Sequence, residues 1–230
     1  MAPASVFVTF AIAGLAIAVA ALWVTVIWKS TRQTRATVIV ACCLAGLMNA
    51  QYVAAASGLL REWERRPPPF VVMFGGTLAL TLWLAFSKLG ARVARGASAA
   101  VLIGMQIFRL PLELTMHRAA GEGVMPVQMS YSGYNFDIIS GATALVLVFV
   151  AGKASWTLLR IWNVLGFCLL VNIVIIAVVS TPQFALFGPD RLNIWVAEAP
   201  FVWLPGVLVP AALLGHVLLW RKLKNGGSLR

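Results

Sequence analysis

The sequence predicts an all-α, polytopic membrane protein: a single transmembrane domain over residues 1–230, folded as a bundle of seven helices, N-terminus outside and C-terminus cytoplasmic. Three observations carry that expectation. Hydrophobic residues make up 61% of the chain and charged ones only 11%, against roughly 25% charged in soluble domains. Apolar runs of about 20 residues recur, each long enough to cross a ~30 Å hydrocarbon core as a helix. Basic residues gather in short clusters at the ends of alternate runs, a pattern that sets membrane orientation.

The spans follow in order. The first, 5–28, has no basic leading segment, and its apolar run exceeds the ~7–15 residues of a signal-peptide core, so it is expected to remain as a helix. Span two covers 36–60 and span three 70–88, where "FGGT" permits close helix approach. Span four, 97–117, holds "FRLPLELTMH"; span five, 135–152, opens on "YNFDIISG"; span six is 158–180. Span seven, 199–220, carries Pro205 and Pro210, which are expected to bend it, with Trp203 near the outer interface. Most of the nine tryptophans read as an aromatic belt. Cys42, Cys43 and Cys168 all lie inside apolar runs and read as small core residues, not as a disulfide framework or zinc site.

Orientation comes from the linkers. Lys29, Arg32, Arg35, Lys88, Arg92, Arg95, Lys153, Arg160, Arg221, Lys222, Lys224 and Arg230 fall on one side, with no acidic residue among them. On the other side Arg61, Arg65, Arg66, Arg118 and Arg191 mix with Glu62, Glu64, Glu122, Asp190 and Glu198. The net charge of +11 is therefore a membrane signal. A nucleic-acid reader would need a basic face on a soluble domain, and none is present. The long outer linkers "HRAAGEGVMPVQMSYSGYN" and "STPQFALFGPDRLNIWVAEAP" suggest that any site opens outward.

Arg109, Glu113 and His117 stand at four-residue spacing and so share one stripe of span four. At 1.5 Å per residue they lie about 18, 24 and 30 Å from the cytoplasmic start. Pro111 between them cannot donate a backbone bond, and a local kink follows. Charges at such depths normally face a bundle interior or a wet cavity. Glu113 is expected to reach Arg109 on one side and His117 on the other. Asp137 at the start of span five, Asn49, Gln51 and Tyr52 in span two and Asn172 in span six share the level. Together these eight residues form the candidate polar pocket.

Metal and haem are weighed against this. Glu113, His117 and Asp137 with Met116, Met125 and Met129 could ligate a metal, but no helix carries paired histidines, and methionine is common in cores. No metal site is assigned. His216 is expected near the cytoplasmic surface, roughly 20 Å or more from His117, too far for two ligands of one iron. It reads as a packing or interface residue with Asn163 as hydrogen-bond partner. No cofactor is assigned.

Seven spans with the N-terminus outside resemble rhodopsin-type proteins in topology alone, since residues 199–220 hold no lysine for a Schiff base. The segments "FRLPLELTMH", "FDIISG", "RIWN" and "FVWLPGVLVPAALLGH" resemble those of a group of uncharacterised small multi-pass bacterial membrane proteins, over residues 97–220. That resemblance implies the architecture and a bacterial inner membrane, and no activity or site residue. Three readings stay open. One is an outward-facing polar pocket that binds or transports a small polar or anionic molecule, with Arg109 as charge partner. The second is a structural or assembly subunit with a buried ion pair. The third is a membrane-embedded acid–base or metal-dependent enzyme, although no serine-nucleophile or phosphate-loop motif is present. The partners implied are the lipid bilayer and a small molecule, with no nucleic acid.

Overall fold

The computed structural model describes residues 3–226; Arg230 of the basic tail lies outside them. The described residues are helical and contain no strand. The helices are α1 (Val6–Thr31), α2 (Thr34–Ala56), α3 (Pro69–Phe86), α4 (Lys88–Gly96), α5 (Ala99–Gly104), α6 (Arg109–Gly121), α7 (Ile138–Val150), α8 (Trp156–Val179) and α9 (Val209–Gly226). Serines start four of them. Ser5, Ser87, Ser98 and Ser155 each accept the backbone N–H three residues on, satisfying a donor the helix itself leaves free.

Among the described residues six helical segments are long and apolar enough to cross a membrane: α1, α2, α3, α5 with α6, α8, and Leu204–Lys224. The α7 helix is apolar but has 13 residues, about 20 Å at 1.5 Å each. Large apolar side chains such as Phe10, Trp83 and Phe149 lie 72, 69 and 83% exposed, a surface suited to lipid and not to water. The molecule is a helical membrane-type protein.

Several boundaries differ from the sequence expectation. Span two ends at Ala56, and a short turn of helix follows at Leu59–Arg61. Residues 88–96 form the separate helix α4, whose Val93 and Ala94 are buried while Arg92 and Arg95 are exposed. Span four is interrupted over residues 105–108. The Pro111 ring nitrogen has no proton for the Ile107 carbonyl, which accepts from Leu110 N at 3.0 Å instead. A three-residue turn of this kind rises ~2.0 Å per residue. Span seven becomes helical at Leu204 through a π-helical stretch, Leu204–Leu208, ahead of Pro210.

Within the bundle, Leu204–Lys224 is the most enclosed membrane segment, 72% buried, and α2 the least, 17%. The basic clusters gather at one end. Arg92 donates to Gln33 Oε1 at 2.6 Å, and Arg160 donates to the Leu223 carbonyl at 2.9 Å. Arg221 caps α3 through the Ala85 carbonyl. At the opposite end the N–H of Ser5 donates to Glu122, Arg61 pairs with Glu198, and Gln183 donates to the Trp63 carbonyl.

Candidate functional site

The polar residues of span four do not form one chain of contacts. Arg109, at the first turn of α6, pairs with Asp137, which precedes α7. Its Nε donates to Asp137 Oδ2 at 2.6 Å, and Nη2 pairs with Oδ1. Both residues are almost fully enclosed, at 1 and 3% exposure. Gly141 permits the approach: a Cβ there would stand 2.9 Å from the Arg109 carbonyl carbon and closer still to the Leu110 backbone. Small residues at helix contacts allow such backbone proximity in membranes.

The remaining guanidinium protons are also committed. Nη1 and Nη2 reach the Gly166 carbonyl at 3.4 and 3.3 Å, and Nη1 reaches Gln106 Oε1 at 3.4 Å and His216 Nε2 at 2.8 Å. A guanidinium only donates, so His216 Nε2 accepts and the ring proton sits on Nδ1. That proton goes to Asn163 Oδ1 at 2.9 Å, while Asn163 Nδ2 donates to the His216 carbonyl at 3.1 Å. Two helices, α8 and α9, are thereby tied to α6 and α7 through one cation.

His216 is a correction to the sequence expectation. It is a direct partner of Arg109 and not an interface residue at the cytoplasmic surface. Helical side chains slope toward the N-terminus of their helix, so Arg109 reaches back toward the basic end. Span seven starts at Leu204, so His216 lies only about 18 Å along it. Its bond to Asn163 was expected. Gln106 and Asn135 were missed, although Gln106 stands three residues before Arg109 on the same face.

Glu113 lies on the same side as expected but pairs elsewhere. Its Oε2 accepts from Asn135 Nδ2 at 2.6 Å, and Asn135 Oδ1 accepts the Asp137 backbone N–H at 3.0 Å. His117 joins neither carboxylate. It stacks on Tyr131 with centroids 4.3 Å apart and meets Ser132 Oγ at 3.1 Å. Gln51 is buried and donates to the Gly206 carbonyl at 3.3 Å, the acceptor that Pro210, four residues on, cannot serve. Asn172 donates to the Tyr134 carbonyl at 2.8 Å. Asn49 and Tyr52 are exposed, and Tyr52 packs on Trp203. Of the eight candidates, then, Arg109, Asp137 and Glu113 come together and the other five stand apart. Among the described residues no three His, Cys, Asp or Glu side chains gather as metal ligands.

Open space lies elsewhere. At the end carrying the mixed charges, a cavity of about 470 Å³ is bounded by Pro3, Ala4, Arg61, Trp63, Val124, Ile194, Trp195, Glu198 and Phe201. Four chain segments converge on it. Arg61 Nη2 and Glu198 Oε1 meet at 3.1 Å, and both side chains remain partly exposed. Trp195 and Phe201, buried and packed with centroids 5.0 Å apart, lie beneath. The Trp195 indole N–H has no hydrogen-bond partner among the described residues. Beside it, the Ser5 backbone N–H holds the Glu122 carboxyl below the usual carboxylate range, with Arg118 contributing less.

No family model, curated protein or solved structure matches the chain.

Proposed function

We propose that the protein is a seven-span membrane protein of the bacterial inner membrane, N-terminus outside, that binds a small polar molecule in the cavity at its outer end. The observation that carries the reading is the placement of one cation and one anion, Arg61 and Glu198, on the wall of a 470 Å³ space with aromatic sides. Small-ligand sites commonly have that size and that mixture of apolar walls with a few convergent polar groups. A guanidinium and a carboxylate side by side suit a zwitterion, whose carboxylate and ammonium replace each partner in the pair.

The Arg109 cluster is the weaker place for such a ligand. Every guanidinium proton already has an acceptor within the protein, so a polar or anionic molecule would gain nothing there without breaking that network. We read the cluster as the tie that holds α6 to α9 together. Trp195 and Phe201 close the cavity floor, which favours binding over transport.

The test is thermal unfolding of the purified protein against a panel of free amino acids and small betaines. A ligand present at a hundredfold excess over its Kd adds about 2.7 kcal/mol, or very roughly 5–10 °C at ~2–4 °C per kcal/mol. The shift should vanish in Arg61→Gln and in Glu198→Gln. Loss of this exposed pair alone costs only ~0–1 kcal/mol, so both variants should still fold. A panel that moves neither parent nor variant, or moves all three equally, would sink the proposal.

A further inference from the structure

At the basic end of the bundle a second and larger space separates α2 from its neighbours. It measures about 570 Å³ and lies between α1, α2, α3 and the start of span seven. Its upper limit is set where α2 is fastened. There Gln51 donates to the Gly206 carbonyl and to Thr77, and Trp203 donates to the Met48 carbonyl at 2.9 Å. Below that level α2 diverges, until Arg92 meets Gln33 near its first turn.

The walls are mostly apolar. Trp23, Ile27, Val40, Leu44, Leu84 and Leu214 supply much of the lining. The hydroxyls that border the cleft are already spent. Thr77 donates to the Met73 carbonyl at 2.8 Å, Thr81 to the Thr77 carbonyl at 2.8 Å, and Ser87 to the Leu84 carbonyl at 2.7 Å. Water needs two to four polar partners to reside in a cavity, and away from the Lys88 rim the one side-chain donor of these walls without a partner among the described residues is the buried Trp23 indole N–H. Ile39, Leu80 and Trp83 are exposed at its side, so the cleft opens between α2 and α3.

The dimensions are those of one leaflet. From Thr77 to Ser87 the cleft follows ten helical steps of α3, about 15 Å at 1.5 Å per residue, half of a ~30 Å hydrocarbon core. At its lower rim stands Lys88, exposed, with no carboxylate paired to it among the described residues. Lys29 and Arg32 at the end of α1, Arg35 at the start of α2, and Arg92 and Arg95 in α4 lie in the adjoining stretches 29–35 and 88–96, which contain no acidic residue. A basic rim below an apolar slot complements one kind of occupant.

We propose that the cleft between α1, α2, α3 and α9 is a binding site for an anionic phospholipid of the leaflet at the basic end, its acyl chain in the slot and its headgroup on Lys88. A lysine snorkelling at an interface is ordinary by itself. Here it stands at the mouth of a slot of matching depth. The inference rests on this cleft alone and is independent of the outer cavity.

Native mass spectrometry of the full-length protein tests it, with phosphatidylglycerol or phosphatidylcholine added to the detergent micelles. The parent should retain the phosphatidylglycerol adduct in preference to phosphatidylcholine by about fivefold, the ratio expected of one basic residue at a headgroup. Lys88→Ala should bring that ratio toward one, and Lys88→Arg should keep it. Cys43 lines the slot from an exposed face of α2, so Cys43→Trp should lose both adducts at an unchanged melting temperature. Equal retention of both lipids by the parent, or adducts undiminished in Cys43→Trp, would overturn the proposal. So would a co-purifying fatty acid or quinone that phosphatidylglycerol does not displace. If Cys43→Trp does not fold, the Lys88 pair still decides between a headgroup site and peripheral lipid.

Discussion

The partner of Arg109 decides how the interior tolerates substitution, and two single changes separate the alternatives. In the structure Asp137 takes both faces of the ion pair, while Glu113 binds Asn135. Replacing Asp137 with Asn leaves a guanidinium at 1% exposure with only neutral acceptors: the Gly166 carbonyl, Gln106 and His216. Breaking a buried pair in this way costs about 3–5 kcal/mol, because the surviving charge stays enclosed. Replacing Glu113 with Gln keeps the acceptor that Asn135 needs and removes only the charge assistance of one hydrogen bond, about 0.5–1.5 kcal/mol. The expected gap is therefore about 1.5–4.5 kcal/mol. Adding Arg109→Gln to Asp137→Asn removes the orphaned cation and should recover a large part of the loss.

The assay is reversible unfolding in mixed micelles, followed by far-ultraviolet circular dichroism as denaturing detergent is raised. Equal destabilisation by Glu113→Gln and Asp137→Asn would refute the pairing, for it would mean that the two carboxylates share the guanidinium. No rescue in the double variant would show that the penalty lies in packing and not in charge.

Other expectations follow from the same geometry. Gly141→Ala should cost roughly 1–3 kcal/mol through overpacking against the Arg109–Leu110 backbone, read in the same unfolding assay; a neutral result would show that α6 and α7 separate freely. The Glu122 carboxyl titrates below its ordinary range because Ser5 donates to its charged form. Its contribution is therefore present above the unfolded value of ~4.3 and is lost as pH falls through the lower folded value. Parent and Glu122→Gln melting temperatures should differ near neutral pH and converge under acid, and a gap that widened under acid would contradict the sign. For orientation, in a variant lacking the native cysteines, an impermeant maleimide applied to intact cells should label Arg65→Cys and spare Arg35→Cys. The reverse pattern would invert every inside and outside assignment.

How much could be read in advance depended on how local each signal was. Long apolar runs and charge clusters are local, so the six long spans and the gathering of Lys29, Arg92, Arg160 and Arg221 at one end were legible. That Asp137 shares the level of the span-four stripe was also legible, since one loop joins their helices. The choice of partner was not. It turns on where side chains point and on two irregularities: the tight turn at 105–108 forced by Pro111, and the late start of span seven at Leu204. Together they move His216 to the level of the Arg109 guanidinium, which uniform helical rise could not foresee. Helix α4 was missed because "KLGARVARG" is short and basic, and a charge count treats it as a linker. The cavity beside Arg61 and Glu198 depends on four segments far apart in the chain, and no spacing in the sequence announces it.

The polar interior and the two open spaces obey one rule with opposite consequences. A charge inside a bilayer persists where its hydrogen-bonding capacity is met by the protein, and Arg109 meets that condition through α6, α7, α8 and α9. Such a group has nothing left to offer a ligand. Binding capacity remains where charged groups stay accessible: the partly exposed Arg61 and Glu198 beside Trp195 at one end, and Lys88 below an apolar slot at the other. Changes in the Arg109 cluster should therefore move stability and leave ligand selectivity intact in whatever folds. Changes at Arg61, Glu198 or Lys88 should move selectivity and barely touch stability. A variant of Gln106 or Asn163 that kept its fold yet lost a small ligand or a lipid would break that division, and would make the buried cluster part of a binding site.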